Sequence, residues 1–154
     1  MLVNGDFEAG VRSPWTGGSI GDSNSPYSPN QHTTFISGTY CGIIQRPNSM
    51  TQVFTNDAPC FAKLSWKCKH RTNFYATNPM YYTVTIDGNV VWGEETVTGS
   101  AVLYKQVEGI KLKPGVHTLV FKGRTDNNQD SSLFLDDVSL WVTRKISGFS
   151  IIVR

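Results

Sequence analysis

Alternation of apolar and polar residues is the dominant signal along this chain. In Leu64-Ser65-Trp66-Lys67-Cys68-Lys69-His70-Arg71, Leu64, Trp66, Cys68 and His70 fall on one side of an extended strand, and Ser65, Lys67, Lys69 and Arg71 on the other. Further on, Tyr82, Val84 and Ile86 make a dry face against a wet face of Tyr81, Thr83 and Thr85. The same period-two reading predicts strands over Tyr40–Gln45, Ser49–Phe54, Phe61–Arg71, Tyr81–Ile86, Asn89–Trp92, Val102–Val107, Val116–Gly123 and Leu133–Val142, and allows a short first strand at Leu2–Val3. No comparable stretch holds a helical period. Asp87-Gly88 between two strands suits a primed hairpin turn, and Lys113-Pro114-Gly115 reads as a second turn. Strands with one dry and one wet face predict an all-β chain folded as a two-sheet antiparallel β-sandwich.

Three segments fall outside the pattern. Ala9–Thr34 is rich in Gly, Ser, Pro and Asn, with Trp15 and Tyr27 inside it; Thr72–Met80 is shorter and carries Phe74 and Tyr75. Irregular loops of this length usually carry function or stay disordered. Residues 144–154 hold an apolar cluster, Phe149–Val153, after Ser147-Gly148, and are expected to add a strand or to dock on a neighbour as an assembly contact.

Composition sharpens this picture. Val, Ile and Thr outnumber Ala, Leu and Glu more than two to one, as a β-rich chain requires. At 154 residues the length is that of one domain, and no apolar run reaches membrane-spanning length. A net charge of +2, with the basic residues spread and Asp126, Asp130, Asp136 and Asp137 grouped, argues against nucleic acid as a partner. Three cysteines, an odd number and without zinc spacing, read as reduced and half-buried rather than as a disulfide scaffold. The chain opens Met1-Leu2-Val3-Asn4 with no signal peptide, so it stays where it is made or has lost a leader.

Both ends carry recognisable motifs. Leu2-Val3-Asn4-Gly5-Asp6-Phe7-Glu8 with Pro14-Trp15, and Leu133-Phe134-Leu135-Asp136-Asp137-Val138-Ser139-Leu140, resemble the galactose-binding-domain-like jelly rolls, in particular carbohydrate-binding modules attached to xylanases and glucanases. The segments Gly38-Thr39-Tyr40, Met50–Phe54, Leu64-Ser65-Trp66 and Thr83–Gly88 follow in the matching order, so the resemblance covers residues 2–143. It implies a jelly-roll domain over 1–143 with 144–154 as an extension. It also implies a structural calcium where the first residues meet the last strand, with Glu8 and Asp136, then Asp6 and Asp137, as oxygen ligands. The competing reading is that Asp6 and Asp137 cap turns while Asp136 accepts backbone hydrogen bonds.

The resemblance further implies a carbohydrate partner, bound by aromatic and polar residues on a sheet face or on loops. Lys67, Lys69, Arg71 and Tyr81 populate the wet strand face, and Trp15, Tyr27, Tyr75 and Arg124 the loops. Tyr75, Arg71, Lys69, Tyr81, Trp15 and Arg124 are therefore the candidate ligand contacts. Against that stand a plain solvated face for Lys67, Lys69 and Arg71, and a core role for Trp15.

Catalysis is not expected. The histidines are scattered, no nucleophile elbow or metal motif occurs, and the adjacent acids Glu94 and Glu95 point to opposite faces of a strand. Two functions are left: a non-catalytic module recognising a polysaccharide or cell-surface glycan, or a structural or adhesion domain of a larger assembly, such as a virion decoration or tail protein. Either places the domain outside the cell or on a virion surface. Phe149–Val153 is the discriminating feature, as a contact within a homo-oligomer or larger assembly.

Overall fold

The computed structural model describes residues 1–22, 36–71, 78–99, 101–146 and 149–153, those beyond 143 as backbone. Strands β1 (Ser19–Gly21), β2 (Cys41–Gln45), β3 (Ser49–Asn56), β4 (Cys60–His70), β5 (Met80–Ile86), β6 (Asn89–Val97), β7 (Leu103–Leu112), β8 (Gly115–Arg124), β9 (Ser132–Ile146) and β10 (Phe149–Val153) form two antiparallel sheets. The larger sheet runs β1-β2-β9-β4-β7, with β10 also on β9; the smaller runs β3-β8-β5-β6. The expected all-β sandwich is what the chain forms.

Alternation is preserved where the sheets face each other. Met50, Gln52, Phe54 and Asn56 of β3 are buried between exposed or half-buried neighbours, as are Met80, Tyr82, Val84 and Ile86 of β5. Trp66 lies at the centre, edge-on to Trp92 at 5.3 Å, Phe121 at 5.5 Å and Tyr82 at 6.4 Å between ring centroids. Burying so much aromatic surface in one place is the main favourable term in holding the sheets together. The hairpin at Asp87-Gly88 has φ of +52° and +77°, as a primed turn demands, and a Cβ on Gly88 would meet nothing.

β9 organises the larger sheet. One edge pairs with β4; the other pairs with β2 at its start and with β10 at its end. The gap between them is filled by the N-terminal segment, where the Val138 N–H donates to the Gly5 carbonyl at 2.8 Å. A Cβ on Gly5 would fall 1.9 Å from the Val138 oxygen, so only glycine fits. A bulge lies here as well: the β4 register shifts between Ser65 and Lys67, opposite Asp137 at φ +48°.

Two expectations need correction. Leu2–Val3 is not a strand, because the Gln52 side chain takes the place of a partner: its Oε1 accepts from the Val3 N–H at 2.7 Å and its Nε2 donates to the Val3 carbonyl at 2.8 Å. The segment Ala9–Thr34 contains a strand after all, the three-residue β1, too short to show a period. Past residue 143, β9 continues to Ile146 and the chain returns as β10, an added strand whose backbone over Phe149–Val153 pairs with its own chain.

Candidate functional site

Two of the candidate ligand contacts meet on the outer face of the smaller sheet. Tyr81 of β5 is in register with Arg124 of β8, and the guanidinium stacks 4.0 Å from the ring centroid of Tyr81. Two carboxylates hold the stack. Glu94 of β6 accepts from Arg124 Nε at 2.9 Å and Nη2 at 3.0 Å, and Asp126 accepts from Nη1 at 2.7 Å. The Tyr81 hydroxyl donates to the other Asp126 oxygen at 2.8 Å. A guanidinium has five N–H donors, and these bonds use three, leaving two to face solvent.

The protonation states of this cluster are fixed by its own hydrogen bonds. Arg124 holds Glu94 below the usual carboxylate range, and Tyr81 together with Arg124 does the same for Asp126. The bond to Asp126 pushes the Tyr81 phenol up, and the two carboxylates push Arg124 up. The face around them is rich in hydroxyls: Lys122 lies opposite Thr83, and Val120 opposite Thr51 and Thr85. It is a flat polar platform with one clamped aromatic–cation stack.

The other candidates are placed differently. Trp15 is 2% exposed, packs on Phe7 and Phe121, and donates from its indole nitrogen to the Asn4 carbonyl at 2.9 Å. It is core, and no ligand reaches it. Arg71 is also buried: its Nη2 donates to Asp130 at 2.8 Å, and Asp130 also accepts from Gln45 at 2.9 Å and faces Arg46 Nε at 3.7 Å. Burial pushes the Asp130 carboxyl up, but the bonds from Arg71 and Gln45 outweigh it and leave it below the usual range. Lys69 is buried against Phe134, 5.9 Å from the ring centroid, and burial pulls its amine down. Alternation put Lys69 and Arg71 on the outward side of β4, but that side is covered here: Cys41, Ile43 and Phe134 form a second buried cluster on it, joined by Ile36. Tyr75 and Tyr27 lie outside the described residues.

Of the four carboxylates named for calcium, Glu8 and Asp136 meet on one segment. Glu8 accepts from the Thr39 and Tyr40 N–H groups at 2.8 and 2.9 Å, and Asp136 accepts from the Ser37 N–H and hydroxyl, both at 3.0 Å. Both therefore grip one turn, in which Gly38 has φ +61° and would put a Cβ 2.3 Å from Glu8 Oε1. Asp137 pairs with Lys67 at 2.7 Å, and Asp6 accepts from the Glu8 N–H at 3.3 Å. Burial pushes the Asp136 carboxyl up to about 6. Among the described residues no group of three or more His, Cys, Asp or Glu is placed to hold a metal ion by side chains alone, so an ion here would need main-chain oxygens as well.

Glu94 and Glu95 part as adjacent strand residues must. Glu95 turns between the sheets, where it accepts from Tyr82 at 3.0 Å and from the Trp92 indole at 2.8 Å and pairs with Lys105 of β7. It straps the edge of one sheet to the edge of the other. Sequence reasoning weighed Glu94 only as half of a catalytic pair and Asp126 only as part of an acidic group; the signal for both was the register that puts Tyr81 beside Arg124. Cys41, Cys60 and Cys68 are buried, and burial pushes Cys41 up to about 12 and Cys68 up to about 11, which keeps both as inert thiols.

No family model matches the chain, and no curated protein does. Solved structures share its fold. TmCBM61, solved in complex with β-1,4-galactotriose, superposes with a TM-score of 0.67 at 16% identity, covering 90% of this chain and 95% of that one. The CBM22-1 xylan-binding domain from Paenibacillus barcinonensis gives 0.59 at 16% identity over 92% and 93%. The enzymatically active domain of bacteriophage CBA120 tailspike protein 4 gives 0.56 at 14% identity, over 90% of this chain and 21% of that one. The chain thus has the jelly-roll fold of carbohydrate-binding modules.

Proposed function

We propose that this chain, with the fold of the carbohydrate-binding modules, is itself a non-catalytic carbohydrate-binding domain that takes its glycan on the Tyr81–Arg124 platform. The observation that carries the reading is the clamped stack. A sugar ring offers one apolar face and a fringe of hydroxyls; the stack offers a flat surface with two spare guanidinium N–H donors and the acceptors Glu94 and Asp126 beside it. The cluster is held before any ligand arrives, which reduces the ordering cost of binding. β-1,4-Galactan and xylan, named for two of the structural neighbours, are the first glycans to try. The domain would act outside the cell or on a particle surface, where such polymers are met.

A glycan array with the wild-type chain and Arg124→Ala tests this. The expected result is binding to at least one polysaccharide, weakened about tenfold or more by removing a charged donor. No binding to any polysaccharide, together with a defined oligomer in solution, would favour the second reading, a structural or adhesion domain of a larger assembly. The likeness to a phage tailspike domain supports that alternative. Calcium stays a proposal for Glu8 and Asp136 first, with Asp6 and Asp137 beside them. These carboxylates would supply charge to an ion at the chain ends, with main-chain oxygens making up the coordination number.

A further inference from the structure

Among the described residues β6 and β7 are each an outer strand of their sheet, paired on one side only, and they run along the same flank of the sandwich. The Glu95–Lys105 strap closes one part of this flank. Beyond it the strands stand apart and leave a cleft of about 360 Å³. Its floor is Val91, Val107 and Ile110, half-buried and packed on the core; its rim carries Asn89, Glu108 and Lys111. The volume lies in the range of small-molecule sites, and an apolar floor with a few polar groups at the rim is their usual lining.

We infer that this cleft is a second saccharide site, separate from the Tyr81–Arg124 platform, taking one or two sugar rings. The inference rests on the carbohydrate-binding reading and extends it to a second surface. Four features select the ligand. Each unpaired strand edge presents backbone N–H and C=O groups in alternation, and a hydroxyl can both donate and accept. The rim acids are already engaged, Glu108 by Lys63 at 2.9 Å and Asp87 by His117 at 2.6 Å, so they do not draw a cation, and the exposed Lys111 ammonium beside them can donate to sugar hydroxyls. An added peptide strand is disfavoured, because β7 bulges where its register shifts opposite Ala62 and Leu64, with Gly109 at φ +75°. Finally, Val91 sits at a register shift of β6 between Val84 and Thr85 of β5, which places a branched side chain on the floor next to the rim amide of Asn89.

The test is an amide NMR titration of the ¹⁵N-labelled full chain with β-1,4-galactotriose and with xylotriose, on wild type, Arg124→Ala and Asn89→Ala/Glu108→Ala. All three substitutions are on exposed side chains, and the spectrum itself reports folding. Expected are shifts at 89–91 and 107–112 that persist in Arg124→Ala and weaken about five- to tenfold in the rim variant. Shifts confined to the residues around Tyr81 and Arg124 would overturn the cleft while leaving the platform in place. Shifts confined to the cleft would uphold it and remove the platform. A chain silent to both sugars would overturn both.

Discussion

Removing Asp130 separates the structural from the ligand-binding reading of Arg71. The Arg71 guanidinium is 4% exposed and faces the Asp130 carboxylate at 2.8 Å, whereas Asp130 is 25% exposed and has Gln45 and Arg46 beside it. The two halves of the pair are therefore unequal. Asp130→Ala leaves a buried cation short of its carboxylate. Losses of about 3–5 kcal/mol follow when a fully buried pair is broken that way, and the partial exposure of Asp130 brings the figure to about 2–3 kcal/mol. Arg71→Met leaves a carboxylate that still has solvent, Gln45 and Arg46, and costs about 1 kcal/mol. For a domain of this size these losses lower Tm by roughly 5–10 °C and roughly 2–4 °C. Combining Arg71→Met with Asp130→Ala should recover much of the larger loss, since no buried charge is stranded. Thermal melts of the three variants at neutral pH, with glycan binding measured alongside, decide the matter. If Arg71→Met melts like wild type yet loses sugar binding, or if it costs more than Asp130→Ala, the structural argument is wrong.

Other outcomes follow from the same physics. Burial pulls the His117 imidazole down, but the Asp87 carboxylate at 2.6 Å and the Lys113 carbonyl at 2.8 Å outweigh it and raise its pKa. Its contribution is thus fully present below the unfolded value of about 6.5 and is lost as pH rises through the folded value. Asp87 runs the other way: burial pushes it up, the bonds from His117 and the Thr118 N–H hold it low, and its contribution is lost in acid. Tm should therefore fall between mildly acidic and mildly alkaline pH in wild type and stay flatter in Asp87→Asn. Gly5→Ala should destabilise by about 2 kcal/mol or more, read by denaturant titration, because backbone must move from the Val138 oxygen; a neutral result would mean the N-terminal segment is not seated there. Chelation of divalent cations should lower Tm if Glu8 and Asp136 hold calcium, and an unchanged curve would dismiss the ion.

The sheets were legible because β3, β5 and β8 each keep one dry and one wet face, and a period of two survives in sequence without any knowledge of partners. Reading exposure from that period failed on β4. Alternation assigns Lys69 and Arg71 to a side of the strand, but it does not report whether that side is covered, and Phe134, Cys41 and Ile43 come from strands far along the chain. The short N-terminal strand failed for a related reason: a side-chain amide, Gln52, supplies the hydrogen bonds a strand would have made. Tyr81 and Arg124 were each visible as candidates, yet the stack depends on register between β5 and β8, and its acidic clamps come from β6 and from the turn after β8. That Asp136 accepts a backbone hydrogen bond was one of the readings open in sequence; that Glu8 grips the same turn was not, because residues 37–40 are far from both acids along the chain.

The position of β9 bears on how this domain is made. β2 and β4 close the larger sheet only by pairing with a strand encoded some 60–90 residues later, and the N-terminal segment has its seat on Val138. On a ribosome the first two-thirds of the chain would emerge with β2 and the eleven-residue β4 lacking the central partner of both. Folding must wait for β9, so the nascent domain stays aggregation-exposed until almost all of it has been synthesised, and truncation before residue 132 should yield an insoluble product rather than a smaller sandwich.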